Sequence, residues 1–243
     1  MKTETIQLTT DPNVTLTTYL HEPSEAMPNM AVRPAVLICP GGGYLYCSER
    51  EGEPIALAFM AAGYQAFVLR YSVGDQAAFP RPLHDAEFAL MMIRRQVVDW
   101  QVNPGKIAIC GFSAGGHLAA ALGTMGRVRP NALILAYPCI LESMSDTLPE
   151  PIPSLEREVT SQTPPTFIWA TAADERVPVE NSLEFAAALG RAKVPFEIHI
   201  FQDGVHGLAL ATPVTSAGHA HYVDADAAKW LNLCLVWLEH QFR

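Results

Sequence analysis

No cluster of lysine or arginine interrupts this sequence. No run of about 18 apolar residues occurs in it. Its five cysteines, Cys39, Cys47, Cys110, Cys139 and Cys234, include no CxxC pair. Each absence excludes a class. Without a basic stripe, and with a net charge of −9, the surface repels phosphate backbones, so nucleic acid is not an expected partner. Without a long apolar run, nothing is expected to span or enter a membrane. An odd number of unpaired cysteines argues against a disulfide framework or zinc site, and for small buried thiols in a reducing compartment. The opening Met1-Lys2-Thr3-Glu4-Thr5 lacks the apolar stretch of a signal peptide, so a cytoplasmic location is expected. A G-x-G-x-x-G fingerprint is missing, as is a P-loop Lys-Ser/Thr. Neither a cofactor nor a metal is expected.

What is present is a compact composition: 243 residues, 49% hydrophobic and 17% charged, within the range of a single α/β domain spanning 1–243. Two β-prone segments, Ile6 to Thr10 and Val14 to Leu20, flank Asp11-Pro12-Asn13 and read as a hairpin. Short apolar runs then alternate with helical spacing. Strands are predicted at 35–38, 65–71, 106–110, 132–136, 166–170 and 196–201. Helices are predicted at 53–62, 83–98 (Phe88, Met91, Met92 and Arg95 in turn), 114–125, 179–191 and 224–241. Apolar runs without alternation suit strands buried on both faces, and strand–helix alternation suits a mostly parallel sheet of about eight strands covered by helices. One stretch, 138–165, breaks the rhythm with five prolines between Pro149 and Pro165 and reads as a small lid over the strand ends.

Gly111-Phe112-Ser113-Ala114-Gly115 is the strongest motif. It matches G-x-S-x-G and stands between a predicted strand and a predicted helix, the setting in which a tight turn lifts a serine hydroxyl off the sheet edge. The helix N-terminus that follows directs backbone N–H groups, and partial positive charge, at a carbonyl being attacked. Pro40-Gly41-Gly42-Gly43-Tyr44 follows the first buried strand. In this kind of fold that loop supplies one oxyanion donor, from Gly42 or Gly43, and the residue after the serine, Ala114, supplies the other.

A serine needs a base, and the base needs an acid that fixes its tautomer. In chain order the acid follows the serine and the histidine follows the acid. His206, between Val205 and Gly207 after the last predicted strand, fits the base. Asp174, in the loop after strand 166–170, fits the acid. Asp203 is a rival but sits only three residues before His206, and Glu175 is a second rival. His219 and His221 are candidates for the pocket rim. Tyr44 and Tyr46 follow the oxyanion loop and are candidate substrate-binding residues, with packing beneath the lid as their alternative role.

The sequence also resembles the bacterial α/β-hydrolase esterases of the acetyl esterase, acetylxylan esterase and xylanase-like lipase/esterase kind. Cys39 to Tyr44, Glu49 to Pro54, Leu69 to Ser72, Asn103 to Ile107, Gly111 to Ala119, Asp174 to Pro178 and His206-Gly207 carry the resemblance, which covers most of the chain from Val36 onward. It is similar as well to small carboxylesterases of lactic-acid bacteria, some of which assemble as homo-oligomers. The resemblance implies hydrolysis of a small-molecule ester of a short acyl group, acetyl especially, without a metal. No carboxylate pair is placed for glycoside chemistry. Two other readings use the same residues: cleavage of an amide, as in arylformamidases or peptidases, and a non-catalytic ligand-binding scaffold.

Overall fold

The structure, a computed structural model, describes residues 1–148 and 151–243. In chain order its main elements are β1 (Lys2–Gln7), β2 (Thr15–Leu20), β3 (Arg33–Cys39), α1 (Glu53–Ala61), β4 (Gln65–Arg70), α2 (Arg81–Arg95), β5 (Val102–Phe112) and α3 (Ala114–Thr124). They continue with β6 (Ala132–Ala136), β7 (Thr166–Thr171), α4 (Glu180–Arg191), β8 (Phe196–Phe201) and α5 (Trp230–Gln241). Among the described residues eight strands form one sheet in the order β1-β2-β4-β3-β5-β6-β7-β8. β1 and β2 pair antiparallel at one edge, and β3 to β8 run parallel. This is the α/β-hydrolase fold expected from the sequence.

The strands are apolar throughout because both sheet faces are buried, yet their side chains still divide by twos. Leu37, Ile109, Leu135 and Ile168 enter one core with Leu90 of α2, Leu118 of α3 and Phe185 of α4. Their neighbours Val36, Ile38, Cys110, Ile134 and Phe167 enter the other, with Phe59 of α1 and Trp230 and Leu238 of α5. Stacking of Trp230 on Trp169, with ring centroids 5.3 Å apart, fastens α5 to the middle of the sheet. Burial of side chains this size contributes about 2–3 kcal/mol each.

Two sequence expectations need correction. α2 runs over Arg81–Arg95 rather than 83–98, and the stripe it buries is Leu83, Ala86, Leu90 and Ile93, with Phe88, Met91 and Met92 half-buried on its flank. Alanine lets α2 approach the core more closely than the larger flank residues would. The last helix begins at Trp230 rather than Asp224. Asp224 Oδ1 accepts hydrogen bonds from the amides of Asp226 and Ala227 at 3.0 and 2.7 Å, which holds this stretch as a capped turn before the helix.

Segment 138–165 is held by polar contacts to the helices beside it. Asn181 Oδ1 on α4 accepts from the amides of Ile140 and Leu141 at 2.8 and 3.0 Å, and Ile140, Met144, Ile152 and Leu155 are buried in the core. Pro149 and Glu150 of the expected lid lie outside the described residues.

Candidate active site

Strand β5 ends at Phe112 and α3 begins at Ala114, so the chain must reverse over one residue. Ser113 takes φ 54° and ψ −117° there, a conformation disfavoured for an L residue and retained only when its surroundings over-determine it. Its amide donates to the Ala136 carbonyl at 3.0 Å, and its carbonyl accepts from Cys139 N–H at 3.1 Å. Gly115 permits the turn because a Cβ there would stand 2.1 Å from the Cys39 carbonyl oxygen.

The loops after β7 and β8 bring the other two groups to this hydroxyl. His206 Nε2 lies 2.7 Å from Ser113 Oγ, and His206 Nδ1 lies 2.7 Å from Asp174 Oδ2. A carboxylate only accepts, so Nδ1 carries the ring proton and Nε2 is free to accept from the serine O–H. Asp174 is held in turn: its Oδ1 accepts from the amides of Arg176 and Val177, each at 2.9 Å. The edge of the Tyr137 ring meets the imidazole with centroids 5.1 Å apart. Of the rivals for the acid, Asp203 is exposed and accepts from Gln202 Nε2 at 3.3 Å, and Glu175 faces an outer cleft. Cys139 Sγ is 3.9 Å from Ser113 Oγ, but burial pushes its thiol up to about 12, so it stays protonated and inert.

On the other side of the serine, Gly42 and Gly43 line the same cavity of about 180 Å³. Gly42 has φ 129°, and a Cβ on it would sit 2.0 Å from the Tyr46 carbonyl oxygen. The Gly41 amide is engaged by the buried carboxylate of Glu51 at 2.8 Å, whereas the amides of Gly42, Gly43 and Tyr44 have no partner among the described residues. Ala114 opens α3, where the first helical N–H has no intrahelical acceptor. The other oxygen of Glu51 accepts from Tyr137 O–H at 2.6 Å, and that tyrosine oxygen accepts from Ala209 N–H at 2.9 Å. Glu51 therefore ties the oxyanion loop to the strand end under the imidazole and to the segment after it. Its spacing in the sequence carried no signal of this.

The two tyrosines expected at the substrate part company. Tyr46 is exposed and lines the cavity. Tyr44 does not line it: its ring is buried and its O–H donates to His117 Nδ1 at 2.8 Å. A phenol just after the glycines can satisfy its hydroxyl inward, on α3, and so it packs beneath the site rather than facing it. His117 Nε2 donates to the Pro153 carbonyl at 3.1 Å, so one imidazole joins oxyanion loop, elbow helix and segment 138–165. Burial brings His117 down to about 4, which keeps it neutral.

Segment 138–165 contributes Cys139, Met144 and Leu148 to the cavity wall. A second cleft of about 420 Å³, bordered by Val205 and His221, shares Arg176, His206 and Tyr222 with the cavity. His219 stacks on His221 with centroids 5.4 Å apart. Among the described residues no group of three or more His, Cys, Asp or Glu side chains could hold a metal ion, and no helix is long and apolar enough to cross a membrane.

A hydroxyl within proton reach of an imidazole that a carboxylate orients, with unpartnered amides beside it, is an arrangement for nucleophilic acyl transfer. Comparison with known proteins agrees in kind. The model of the BD-FAE family matches residues 21–142, and that of the prolyl oligopeptidase family matches residues 88–243. A solved α/β-hydrolase enzyme from a Medee basin deep-sea metagenome library is 44% identical, with a TM-score of 0.95 over 99% of this chain and 98% of its own. A carboxylesterase from Lactobacillus plantarum is 33% identical, with a TM-score of 0.91 over 100% of this chain and 98% of its own. An acetylxylan esterase from Xylanibacter ruminicola is 31% identical over 73% of this chain and 42% of its own length. The chain spans less than half the length of the first curated relatives it matches.

Proposed function

We infer that this chain, which belongs to the α/β-hydrolase family of bacterial carboxylesterases, hydrolyses esters of short acyl groups, acetyl foremost, through an acyl-enzyme on Ser113. The observation that carries this is His206 standing 2.7 Å from both Ser113 Oγ and Asp174 Oδ2. His206 takes the serine proton as Oγ attacks the ester carbonyl. Amides of Gly42, Gly43 and Ala114 hold the oxyanion. His206 then gives its proton to the departing alkoxide, and a water activated by the same imidazole releases the acid. Asp174 keeps the imidazole in the tautomer that can accept and stabilises the imidazolium that forms.

The acyl group enters the small cavity between Gly43, Tyr46, Met144 and Leu148, whose size suits acetyl and propionyl. In this reading the chain is a single domain in which Met144 and Leu148, from the stretch expected to form a lid, cover one side of the cavity. Acetylated carbohydrates are a natural substrate class, because an acetylxylan esterase is among the relatives. Five free thiols, four of them buried, fit a reducing compartment such as the cytoplasm. The prolyl oligopeptidase match spans all three triad residues and keeps amide cleavage as a second reading.

A fluorophosphonate probe should label the protein and leave Ser113→Ala unlabelled. Under matched conditions acetyl esters should turn over much faster than formylated aromatic amines. Labelling that survives in Ser113→Ala would end the nucleophile assignment, and faster formamide cleavage would replace the esterase with an amidase.

A further inference from the structure

Arg50 stands on a short 3₁₀ turn, Glu49–Glu51, between the oxyanion loop and α1. Its guanidinium is fixed from two sides by the chain that follows His206. Nε donates to the Thr215 carbonyl at 2.5 Å, and Cζ lies 3.7 Å from the centroid of the Tyr222 ring. Nη2 is buried with no hydrogen-bond partner among the described residues and does not open onto the cavity, whereas Nη1 stands toward Gly207, which lines it. Arg50 nevertheless lines the cavity that holds Ser113 and His206. Among the described residues it makes no ion pair, although the chain carries a net charge of −9 and could readily have supplied one. The adjacent carboxylate, Glu51, is committed elsewhere, to Gly41 N–H and Tyr137 O–H.

A guanidinium fixed at a catalytic cavity without an acid partner has donor capacity to spare, and a ligand oxygen that reaches it completes the set. The direction of proton transfer says which part of the ligand. His206 Nε2 protonates the departing alkoxide, so the alcohol lies against His206. Arg50 lies on that side: a Cβ added to Gly207 would stand 3.9 Å from Arg50 Nη1. Beside it lies the cleft of about 420 Å³ that shares Arg176, His206 and Tyr222 with the cavity, which gives room for an alcohol larger than ethanol.

We propose that Arg50 is a substrate-binding residue whose guanidinium donates a hydrogen bond to an oxygen on the alcohol portion of the ester, and so selects oxygen-bearing alcohols over plain alkyl ones. The inference rests on the esterase reading. Two sources share the required chemistry, a hydroxyl of a neutral polyol and the carboxylate of a hydroxy acid. A planar guanidinium suits both and binds the carboxylate more strongly.

The test compares kcat/KM for three acetyl esters with one common acyl group: propyl acetate, glycerol monoacetate and acetoxyacetate. Wild type should prefer at least one of the two oxygenated esters to propyl acetate by roughly tenfold. In Arg50→Met, which keeps the stem and loses every donor, that ratio should fall toward one. The readout is the ratio, so a general loss of activity cancels. Arg50→Lys is the second variant, for use if Arg50→Met does not fold, and it should lose most of the preference because it lacks the fork. A preference for glycerol monoacetate identifies a polyol alcohol, and one for acetoxyacetate an anionic alcohol. A wild type without preference, or a ratio that both variants retain while overall rates fall, would overturn the proposal and leave Arg50 as a strap between loops. Failure of wild type on all three esters would instead count against the esterase reading.

Discussion

Two imidazoles stand on opposite sides of Ser113, and each has both ring nitrogens hydrogen-bonded. His206 sits between the serine hydroxyl and a carboxylate, with a side chain still 14% exposed. His117 sits between a tyrosine hydroxyl and a backbone carbonyl, with no exposure at all. The imidazolium of His206 would meet the Asp174 carboxylate. That of His117 would meet only neutral dipoles in a dry site, and burial holds it near 4. The ring is the same, and its partner decides whether it can take a proton during turnover or only hold three segments together.

The sharpest break of this comparison comes from removing the working pair. Ser113→Ala or His206→Ala should lower kcat by on the order of 10⁵ or more in a steady-state acetyl ester assay. Asp174→Asn should lower it by about 10⁴, because the amide can donate to Nδ1 and so favours the wrong tautomer. A loss of that size from His117→Leu, with the fold intact, would erase the distinction between the two rings.

His117→Leu should act on stability instead. It leaves Tyr44 O–H and the Pro153 carbonyl unpaired in the interior, which destabilises the fold by about 1–3 kcal/mol at pH 7 in denaturant titrations. The pH dependence sharpens the point. The folded value near 4 lies below the ordinary 6.5, so between these the unfolded chain binds a proton that the folded chain refuses. The stabilisation is whole above about pH 6.5 and is lost as pH falls toward 4, by about 3 kcal/mol in all. The gap between wild type and His117→Leu should therefore close as pH drops from 7 to 4. A gap that stays constant would mean that the ring is not buried in its neutral form.

The smallest effect concerns the cavity wall. Acetate and propionate esters should exceed octanoate esters in kcat/KM by roughly tenfold, and Leu148→Ala should narrow that difference. Equal rates across chain length in wild type would mean that Met144 and Leu148 do not bound the acyl group.

Much of this was legible before any coordinates. The elbow could be read because its requirements are local: a strand, a serine between glycines, a helix. Asp174 could be picked over Asp203 because a tether of three residues hinders the approach of a carboxylate to His206 Nδ1. The start of α5 was misplaced because Asp224 offers its side chain to nearby amides, and a helical composition does not reveal that competition. Tyr44 was expected at the substrate because it follows the oxyanion glycines. Its partner, 73 residues away on α3, turned it inward.

By itself the sequence determined the α/β class, the strand order of events along the chain and the three residue types of the triad, since each follows from side-chain periodicity or from short-range backbone demands. Only the tertiary structure decided that Glu51 backs the glycine loop 41–43, that His117 joins three segments and that Arg50 lines the cavity at the serine without an acid partner. Those roles depend on which groups share a few ångströms across contacts of up to 165 residues in sequence, and which of them water can reach. Neither quantity is written in local order.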